Sequence, residues 1–186
     1  MKRAFDVVLA LLLGVLALIP CIIVSLMVKL TSRGPVLYWS QRVGRGNALF
    51  AMPKFRTMKM DTPAVATHLL SDPQTMLTPV GSILRRSSLD ELPQLWSILR
   101  GDMSFVGPRP ALFNQHDLIA LRDQAGVSII RPGLTGWAQV NGRDALSLES
   151  KVEFDAAYMT RRGFGFDLWI LVLTFLRVIG QTGVKH

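Results

Sequence analysis

The fold of this chain is decided by the stretch Ser88-Leu-Asp-Glu-Leu-Pro-Gln-Leu-Trp-Ser-Ile-Leu-Arg-Gly101, which leads into Asp-Met-Ser-Phe-Val-Gly-Pro-Arg-Pro110. Its large apolar residues recur at helical spacing, and Gly101 stands where a helix C-cap would end the pattern. The predicted helix begins with the adjacent carboxylates Asp90 and Glu91. Pro93 lies in the first turn, where a missing N–H costs little. The positive end of the helix dipole favours the ionised forms of both acids.

Two interpretations of this carboxylate pair compete. Asp90 can be an ordinary N-cap with Glu91 an exposed first-turn acid, because capping acids are common. However, an extended Met-Ser-Phe-Val segment follows the helix and leads into Arg109, which is bracketed by Pro108 and Pro110. A rigid arginine beside two carboxylates indicates a phosphate site with acid chemistry of its own.

Composition limits the class of protein. The chain has 186 residues, about one domain's worth, of which 49% are hydrophobic, with 21 Lys and Arg against 13 Asp and Glu and a net charge of +8. The mean hydropathy is +0.33. A basic, apolar protein favours an anionic membrane surface, anionic substrates or both. The basic residues are scattered without a recognition motif, so nucleic acid is not expected as a partner.

Metal and disulfide chemistry based on cysteine is not expected. Cys21 is the only cysteine, which leaves no disulfide and no cysteine zinc site. The three histidines, His68, His116 and His186, are too scattered for a metal-binding spacing.

An apolar run from Ala4 to Val28 is long enough to cross a bilayer. Basic residues flank both of its ends, which is the signature of a cytoplasmic position at each end. Pro20 lies within the run and bends a helix there. A helix that enters the membrane, breaks at Pro20 and returns fits both observations, and a kinked crossing with the N terminus outside is the alternative. The predicted division is a membrane helix over residues 1–31 and a catalytic domain over residues 32–186.

The rest of the chain predicts a mixed α/β domain that is mostly helical. Two short strands, a set of helices and their separating turns are expected, with a polar excursion at residues 61–77. The predicted strands are Val36–Trp39 and Leu49–Phe55, and the predicted helices start at Thr78-Pro79, span about Asn114–Gln124, follow a Ser147 cap and span Phe164–Ile179.

The last of these helices, Phe164–Ile179, has few charges along its length. Its sixteen residues are too short to span a bilayer comfortably but suit a helix that lies in the interface. A buried core helix is the alternative.

Four motifs, SLDELPQLW, GDMSFVGPRP, RPGLTGWAQVNGR and KFRTM (residues 54–58), closely resemble those of the bacterial sugar transferases, the monotopic polyprenyl-phosphate phosphoglycosyl transferases. The resemblance runs from Lys2 to about Val184. It implies a compact α/β (α+β) catalytic domain with an N-terminal re-entrant membrane helix, whose hinge would be Pro20, and interfacial amphipathic helices. The family usually has Ser-Pro at the helix break, where this chain has Ile19-Pro20.

The resemblance also implies site residues. It makes Asp90 the nucleophile and Glu91 the ligand of Mg²⁺, a division that the chemistry of adjacent carboxylates allows. It assigns catalytic support to Lys54 and Arg85. It assigns substrate binding, with Arg109 on the nucleotide diphosphate, to Arg109, Pro108, Arg56, Asp155 and Asp167. Asp167 opens the last apolar helix and can also be only its N-cap.

The implied function is transfer of a sugar-1-phosphate from a UDP-sugar to polyprenyl (undecaprenyl) phosphate, with release of UMP through a covalent aspartyl intermediate. This step would start a membrane-linked glycan, such as an O-antigen, a capsule or a glycoprotein oligosaccharide, on the cytoplasmic face of the bacterial inner membrane. Downstream glycosyltransferases are implied partners. Short relatives handle N-acetylated amino sugars such as diacetamido-bacillosamine, and others handle galactose or glucose. A catalytically silent scaffold of glycan assembly and a metal-dependent phosphoanhydride hydrolase are the alternatives.

Overall fold

The computed structural model describes residues 1–65, 72–142 and 145–179. The predicted excursion at residues 61–77 lies partly outside this range, and His68 and His186 lie wholly outside it. The α-helices are α1 Lys2–Thr31, α2 Gly81–Ser87, α3 Leu95–Arg100, α4 His116–Gln124, α5 Trp137–Val140, α6 Leu148–Arg161 and α7 Phe164–Ile179. The strands are β1 Leu37–Val43, β2 Leu49–Phe55, β3 Ser104–Val106 and β4 Gly133–Thr135. The mostly helical α/β class that the sequence predicts is therefore confirmed.

Helix α1 is the one described helix that is long and apolar enough to cross a membrane. It does not end at Pro20, which lies inside it, so the predicted break is absent from the helical backbone. A proline removes one hydrogen bond from the ladder, and the bonds of the other turns remain. One narrow stripe of the helix is buried, and its spacing of four and seven residues marks a single face: Asp6, Ala10, Ala17, Val24 and Val28.

Both ends of α1 pack against the same domain. Near its start, Arg3 donates to the carbonyl oxygens of Ile98 and Leu99 in α3. Near its end, Val24 and Val28 join a buried cluster formed with β2 and α2. The apolar side chains between and around these contacts are exposed, and the most exposed of them are Leu12, Val15, Leu16, Ile19 and Leu30.

Strands β1 and β2 form an antiparallel hairpin in which Tyr38 pairs with Lys54 and Arg42 pairs with Phe50. The predicted bounds of β2 are confirmed. The predicted end of β1 at Trp39 is wrong, since the strand continues to Val43 and takes Arg42 out of the expected glycine-rich loop. The remaining turn is a 3₁₀ helix at Arg45–Asn47.

Strands β3 and β4 pair in parallel and join the GPRP and PGLTGW motifs. The backbones approach so closely that a Cβ on Gly133 would lie 2.1 Å from the Gly107 nitrogen. A Cβ on Gly136 would lie 2.0 Å from the Gly107 oxygen. These glycines are needed because no side chain fits between the two motifs.

The C-terminal helices cover one side of this core. Ser147 caps α6 as predicted, since its hydroxyl accepts a hydrogen bond from the Ser150 N–H. The predicted bounds of α7 are confirmed. Only part of α7 belongs to the core: Ile170 is fully buried, whereas Trp169 and Phe175 are more than half exposed.

Candidate functional site

The carboxylate pair lies on a 3₁₀ helix at Leu89–Gln94, which precedes α3. The continuous α-helix predicted here is wrong, because Pro93 disfavours the α conformation of the residue before it. The N-cap interpretation of Asp90 is also wrong. Ser88 holds the cap position in the left-handed region at a φ of 57°, and no side chain caps the helix. Gly101 ends α3 at a φ of 99°, as the sequence predicts.

Glu91 brings two of the predicted cations together. Its Oε1 atom accepts a hydrogen bond from Lys54 Nζ at 3.0 Å and another from Arg109 Nη2 at 3.1 Å. Lys54 comes from β2 and Arg109 from the segment after β3, so one carboxylate oxygen connects three separate parts of the chain. Lys54 is largely buried, and burial lowers its pKa despite the attraction of Glu91.

Asp90 is buried within the same group of charges, with 7% of its surface exposed. Burial raises the pKa of Asp90, and the negative charge of Glu91 adds to the rise, while Lys54, Arg85 and Arg109 oppose it. The net shift of this pKa is therefore opposite to the one that the helix dipole alone would give. A six-residue 3₁₀ helix offers a weak dipole, and desolvation of a buried carboxylate outweighs it.

Arg42 is a site residue that the sequence reasoning missed. Its guanidinium donates to Ser40 Oγ at 3.0 Å and to the Pro110 oxygen at 3.1 Å. Burial and the like charge of Arg109 lower the pKa of Arg42 to about 10. The alternation of side chains along a strand could have indicated Arg42, had β1 been extended to Val43. The hairpin register puts Arg42 on the same face as Lys54.

Arg85 lies on the other side of the pair, at the end of α2. Its Nε atom donates to Thr57 Oγ1 at 3.1 Å. Burial lowers the pKa of Arg85, and the charge of Asp90 opposes that fall. Arg85 is therefore near enough to interact with the charge of Asp90, and its predicted supporting role in catalysis stays a prediction.

Asp155 reaches the site only through Arg122. The guanidinium of Arg122 binds Asp155 Oδ2 with two N–H groups, at 3.0 and 2.7 Å, and donates a third hydrogen bond to the Arg109 oxygen at 2.8 Å. Asp155 therefore holds Arg122, which in turn holds the backbone that carries Arg109, and its predicted contact with substrate stays a prediction. No feature of the sequence indicated this role, because an arginine in the last turn of a predicted helix is usually exposed to solvent.

Three other residues predicted to bind substrate, Arg56, Asp167 and Pro108, make hydrogen bonds that join parts of the fold. Arg56 is buried and donates to the Pro35 oxygen and to Ser32, which fixes the turn after α1. Asp167 accepts from Lys2 Nζ at 2.5 Å and from the Tyr158 hydroxyl at 2.8 Å, so it joins α7 to the start of α1 and to α6.

Asp167 is not an N-cap either, because it lies inside α7. The carbonyl of Pro108 accepts from the Gly133 N–H at 2.8 Å and belongs to the pairing of the two motifs.

The carboxylates of this site suit a magnesium ion that is also bound by substrate phosphates and water. Residues 1–65, 72–142 and 145–179 contain no group of three or more His, Cys, Asp or Glu side chains that could hold a metal. Mg²⁺ is commonly bound by one or two carboxylates together with substrate phosphates and water. The adjacent Asp90 and Glu91, facing a phosphate-binding group of cations, fit that mode.

Taken as a unit, the site places two carboxylates among four cations, Lys54, Arg42, Arg85 and Arg109. The excess of positive charge suits a substrate that carries several phosphate oxygens, and guanidiniums bind such groups with paired N–H donors. The buried Asp90 can act as a nucleophile toward phosphorus in such a substrate.

A family model described as bacterial sugar transferase matches residues 1–181. Among curated proteins, the chain is similar to one named uncharacterized sugar transferase EpsL, from Bacillus subtilis. That protein is 38% identical over all of this chain and 91% of its own length.

Two larger relatives carry more specific names. The UDP-glucose:undecaprenyl-phosphate glucose-1-phosphate transferase of Escherichia coli is 40% identical over 95% of this chain, and the match covers 40% of that protein. The undecaprenyl-phosphate galactose phosphotransferase of Salmonella typhimurium is 35% identical over 98% of this chain and 41% of that protein. The chain thus spans about two fifths of the length of these two relatives.

Proposed function

Because the chain belongs to the bacterial sugar transferase family, we propose that it transfers a sugar-1-phosphate from a UDP-sugar to undecaprenyl phosphate and releases UMP. The two larger relatives are named as transferases of glucose or galactose phosphate with undecaprenyl phosphate. The observation that carries the proposal is the contact of Glu91 with Lys54 and Arg109 beside a buried Asp90. The product would start a membrane-linked polysaccharide or glycoprotein glycan that downstream glycosyltransferases extend.

In the proposed first step, a carboxylate oxygen of Asp90 attacks the phosphorus that bears the sugar. The bond from this phosphorus to the bridging oxygen breaks, and UMP leaves with that oxygen. In the second step an oxygen of undecaprenyl phosphate attacks the same phosphorus. The acyl-phosphate bond breaks, and the Asp90 carboxylate is regenerated. Covalent catalysis of this kind divides one difficult displacement into two easier ones.

The neighbouring residues support these steps in different ways. Arg109 and Arg42 bind the diphosphate, and Lys54 holds Glu91 in place while its own charge faces the phosphate oxygens. Arg85 and Lys54 favour the ionised form of Asp90, which attack requires, against the effect of burial. Glu91 would hold Mg²⁺, which when bound supplies neutralisation of charge on the phosphates, and Asp90 would remain available for attack.

The membrane placement follows from α1 and α7. Both ends of α1 bind the same domain, while its exposed side chains are apolar. A helix that crossed the bilayer would place its two ends at opposite membrane surfaces. The contacts of both ends with one domain therefore support a path that stays on the cytoplasmic side, with α7 lying in the interface, and a re-entrant path would require the continuous helix to bend at Pro20.

The function is tested by the mass of the intact full-length protein after brief exposure to a panel of UDP-sugars without a lipid acceptor. We expect one sugar to add a phospho-sugar mass, and addition of undecaprenyl phosphate to remove it and release UMP. Asp90→Asn should show no adduct and should lower kcat by about 10⁴-fold or more. Asp117→Asn is the matched control, since Asp117 is an exposed acid in the first turn of α4.

Other outcomes separate the alternatives. UMP release without a lipid acceptor, in a steady state, would indicate a hydrolase, and no UMP release with any sugar would indicate a scaffold. A ternary-complex rate pattern without an adduct, together with an active Asp90→Asn variant, would contradict the covalent step. Glu91→Gln should be inactive, whereas Glu153→Gln, an exposed acid on α6, should retain activity.

The membrane path is tested by the side of the membrane on which each terminus lies. A tag before Met1 and a tag after His186 should both be cytoplasmic. A periplasmic N-terminal tag would establish a crossing. Pro20→Leu restores the missing hydrogen-bond donor and should favour the straight crossing helix, while Ile19→Leu at the neighbouring position should not.

A further inference from the structure

A second basic region lies away from the carboxylate pair, where the first turns of α1 meet β3 and the end of α6. It is a cavity of about 200 Å³, which we call the α1 cavity. Cationic side chains from four separate segments line it, namely Lys2 and Arg3, Arg45, Arg131, and Arg162. None of the residues that line it belongs to the group around Asp90 and Glu91. The α1 cavity is therefore a site distinct from the carboxylate pair.

The charges of the α1 cavity are not balanced by carboxylates. Lys2 is neutralised by Asp167. The four arginines have no carboxylate within 4.0 Å in the part of the chain that the structure describes. Asp6 is the one acidic side chain in the lining, and it accepts hydrogen bonds from Ser104 and from the Phe105 N–H.

Backbone carbonyls hold three of these arginines instead. Arg3 donates to α3, Arg45 donates to the Ile129 oxygen at 2.9 Å, and Arg131 donates to the Gly101 oxygen at 2.8 Å. Each of these bonds uses some of the five N–H donors of a guanidinium, and a carbonyl does not neutralise its charge. The cations are therefore oriented in advance and keep their full charge.

The arrangement favours a phosphate over a carboxylate. One guanidinium fork satisfies both oxygens of a planar carboxylate. Four guanidiniums that enter from different segments suit an anion with oxygens pointing in several directions, as in a phosphate ester.

The surroundings of the cavity favour an anion that carries an apolar tail. Ile129 lines it and is 58% exposed. Phe164, two residues after Arg162, is 60% exposed and packs edge-on against Phe5 with the ring centroids 5.3 Å apart. The exposed apolar face of α1 continues from the same end with Val8, Leu11 and Leu12.

We infer that the α1 cavity binds the phosphate of one anionic phospholipid headgroup, which is not consumed in the reaction and which anchors the start of α1. The inference goes beyond the proposed transferase activity and does not depend on it. Diffuse attraction of basic residues to an anionic membrane is a different effect, because it needs neither a cavity nor oriented donors.

The test is native mass spectrometry of the full-length protein released from nanodiscs that contain phosphatidylcholine and phosphatidylglycerol. We expect one phosphatidylglycerol to be retained. Arg131→Gln combined with Arg162→Gln should weaken retention by about tenfold or more, since each loses a charge-assisted hydrogen bond. Arg45→Gln alone should weaken it in the same direction.

The matched control is Lys29→Gln combined with Arg33→Gln, which removes the same charge at the other end of α1, where both residues are exposed. Equal losses in the two double variants would overturn the inference, because diffuse electrostatics would then explain them. Circular dichroism and the transferase assay show whether each variant is folded.

Inorganic phosphate is the second arm of the test. If phosphate raises the unfolding temperature of the wild type but no lipid is retained, the cavity takes a free anion and the lipid inference is overturned. Retention of phosphatidylcholine as tightly as phosphatidylglycerol would overturn it too. Loss of lipid retention with transferase activity intact would separate this site from the proposed function.

Discussion

The two cationic regions of this protein contain the same kinds of side chain but differ in what faces them. Around Asp90, the cations face buried carboxylates, and Glu91 alone binds Lys54 and Arg109. In the α1 cavity, arginines face backbone carbonyls. A carboxylate can gain or lose a proton, so the first region changes with pH and depends on each partner. A carbonyl cannot, so the arginines of the second region keep their positive charge for an incoming anion.

The largest effect that would sharpen this comparison is expected at Arg122. Its side chain is 11% exposed and that of Asp155 is 1% exposed, so Arg122→Met leaves a buried carboxylate without its partner. We expect the free energy of unfolding to fall by about 3–5 kcal/mol, measured by denaturant titration. Arg131→Gln, which breaks a bond to a carbonyl at the surface, should cost less than about 0.5 kcal/mol.

Two further measurements check this explanation. Burial raises the pKa of Asp155 and Arg122 opposes the rise, so loss of Arg122 leaves a carboxyl that protonates more readily. The loss in the free energy of unfolding caused by Arg122→Met should therefore become smaller as the pH falls. The double variant Arg122→Met, Asp155→Leu should recover most of the stability. Equal costs for Arg122→Met and Arg131→Gln would break the comparison.

A smaller effect is expected when Arg42 is changed to lysine. The substitution keeps the charge but loses the paired N–H donors. We expect KM for the UDP-sugar to rise by about tenfold, equivalent to about 1.4 kcal/mol, with kcat almost unchanged. Steady-state kinetics would measure both, with the exposed Arg33→Lys as control. A fall in kcat at constant KM would place Arg42 in the chemical step instead of in ground-state binding.

The smallest effect concerns the pH dependence of stability. Burial raises the pKa of Asp90 above its ordinary value of 3.8, so the folded protein binds this proton more tightly than the unfolded chain. The stability from this proton is present below the unfolded pKa and is lost as the pH rises through the folded pKa. Asp90→Asn cannot titrate, so it should gain about 1 kcal/mol over the wild type at neutral pH.

Urea titrations at several pH values between about 4 and 8 would follow this gain. It should shrink toward acid pH, and Asp117→Asn should show no such trend. A gain that is independent of pH would mean that the pKa of Asp90 is the same in the folded and unfolded states, and it would contradict the raised pKa.

Local sequence signals predicted the elements whose structure depends on neighbours along the chain. The Ser147 cap, the left-handed Gly101, the bounds of β2 and the bounds of α7 all rest on residues within one or two turns. The bonds from Glu91 to Lys54 and Arg109 fit the expected site, because motifs of a known family marked those three positions.

Contacts between distant segments could not be predicted in this way. Arg122 binds Asp155 across 33 positions, and Lys2 binds Asp167 across 165. Asp167 resembled an N-cap because it lies near a helix start, but its charged partner, Lys2, comes from the opposite end of the chain. The raised pKa of Asp90 was missed for a related reason, since burial is a property of the whole fold.

The bond between Lys2 and Asp167 sets an order of events during synthesis. Helix α1 leaves the ribosome before any of the surfaces that its buried stripe will cover, and its N-terminal partner Asp167 is made 165 residues later. At a typical rate of about 5–20 residues per second, this apolar helix waits for roughly ten seconds or more without its protein contacts. A bilayer can shelter it throughout that interval. Lipid insertion would then precede domain closure, and the Lys2–Asp167 contact between α1 and α7 would form only after that insertion.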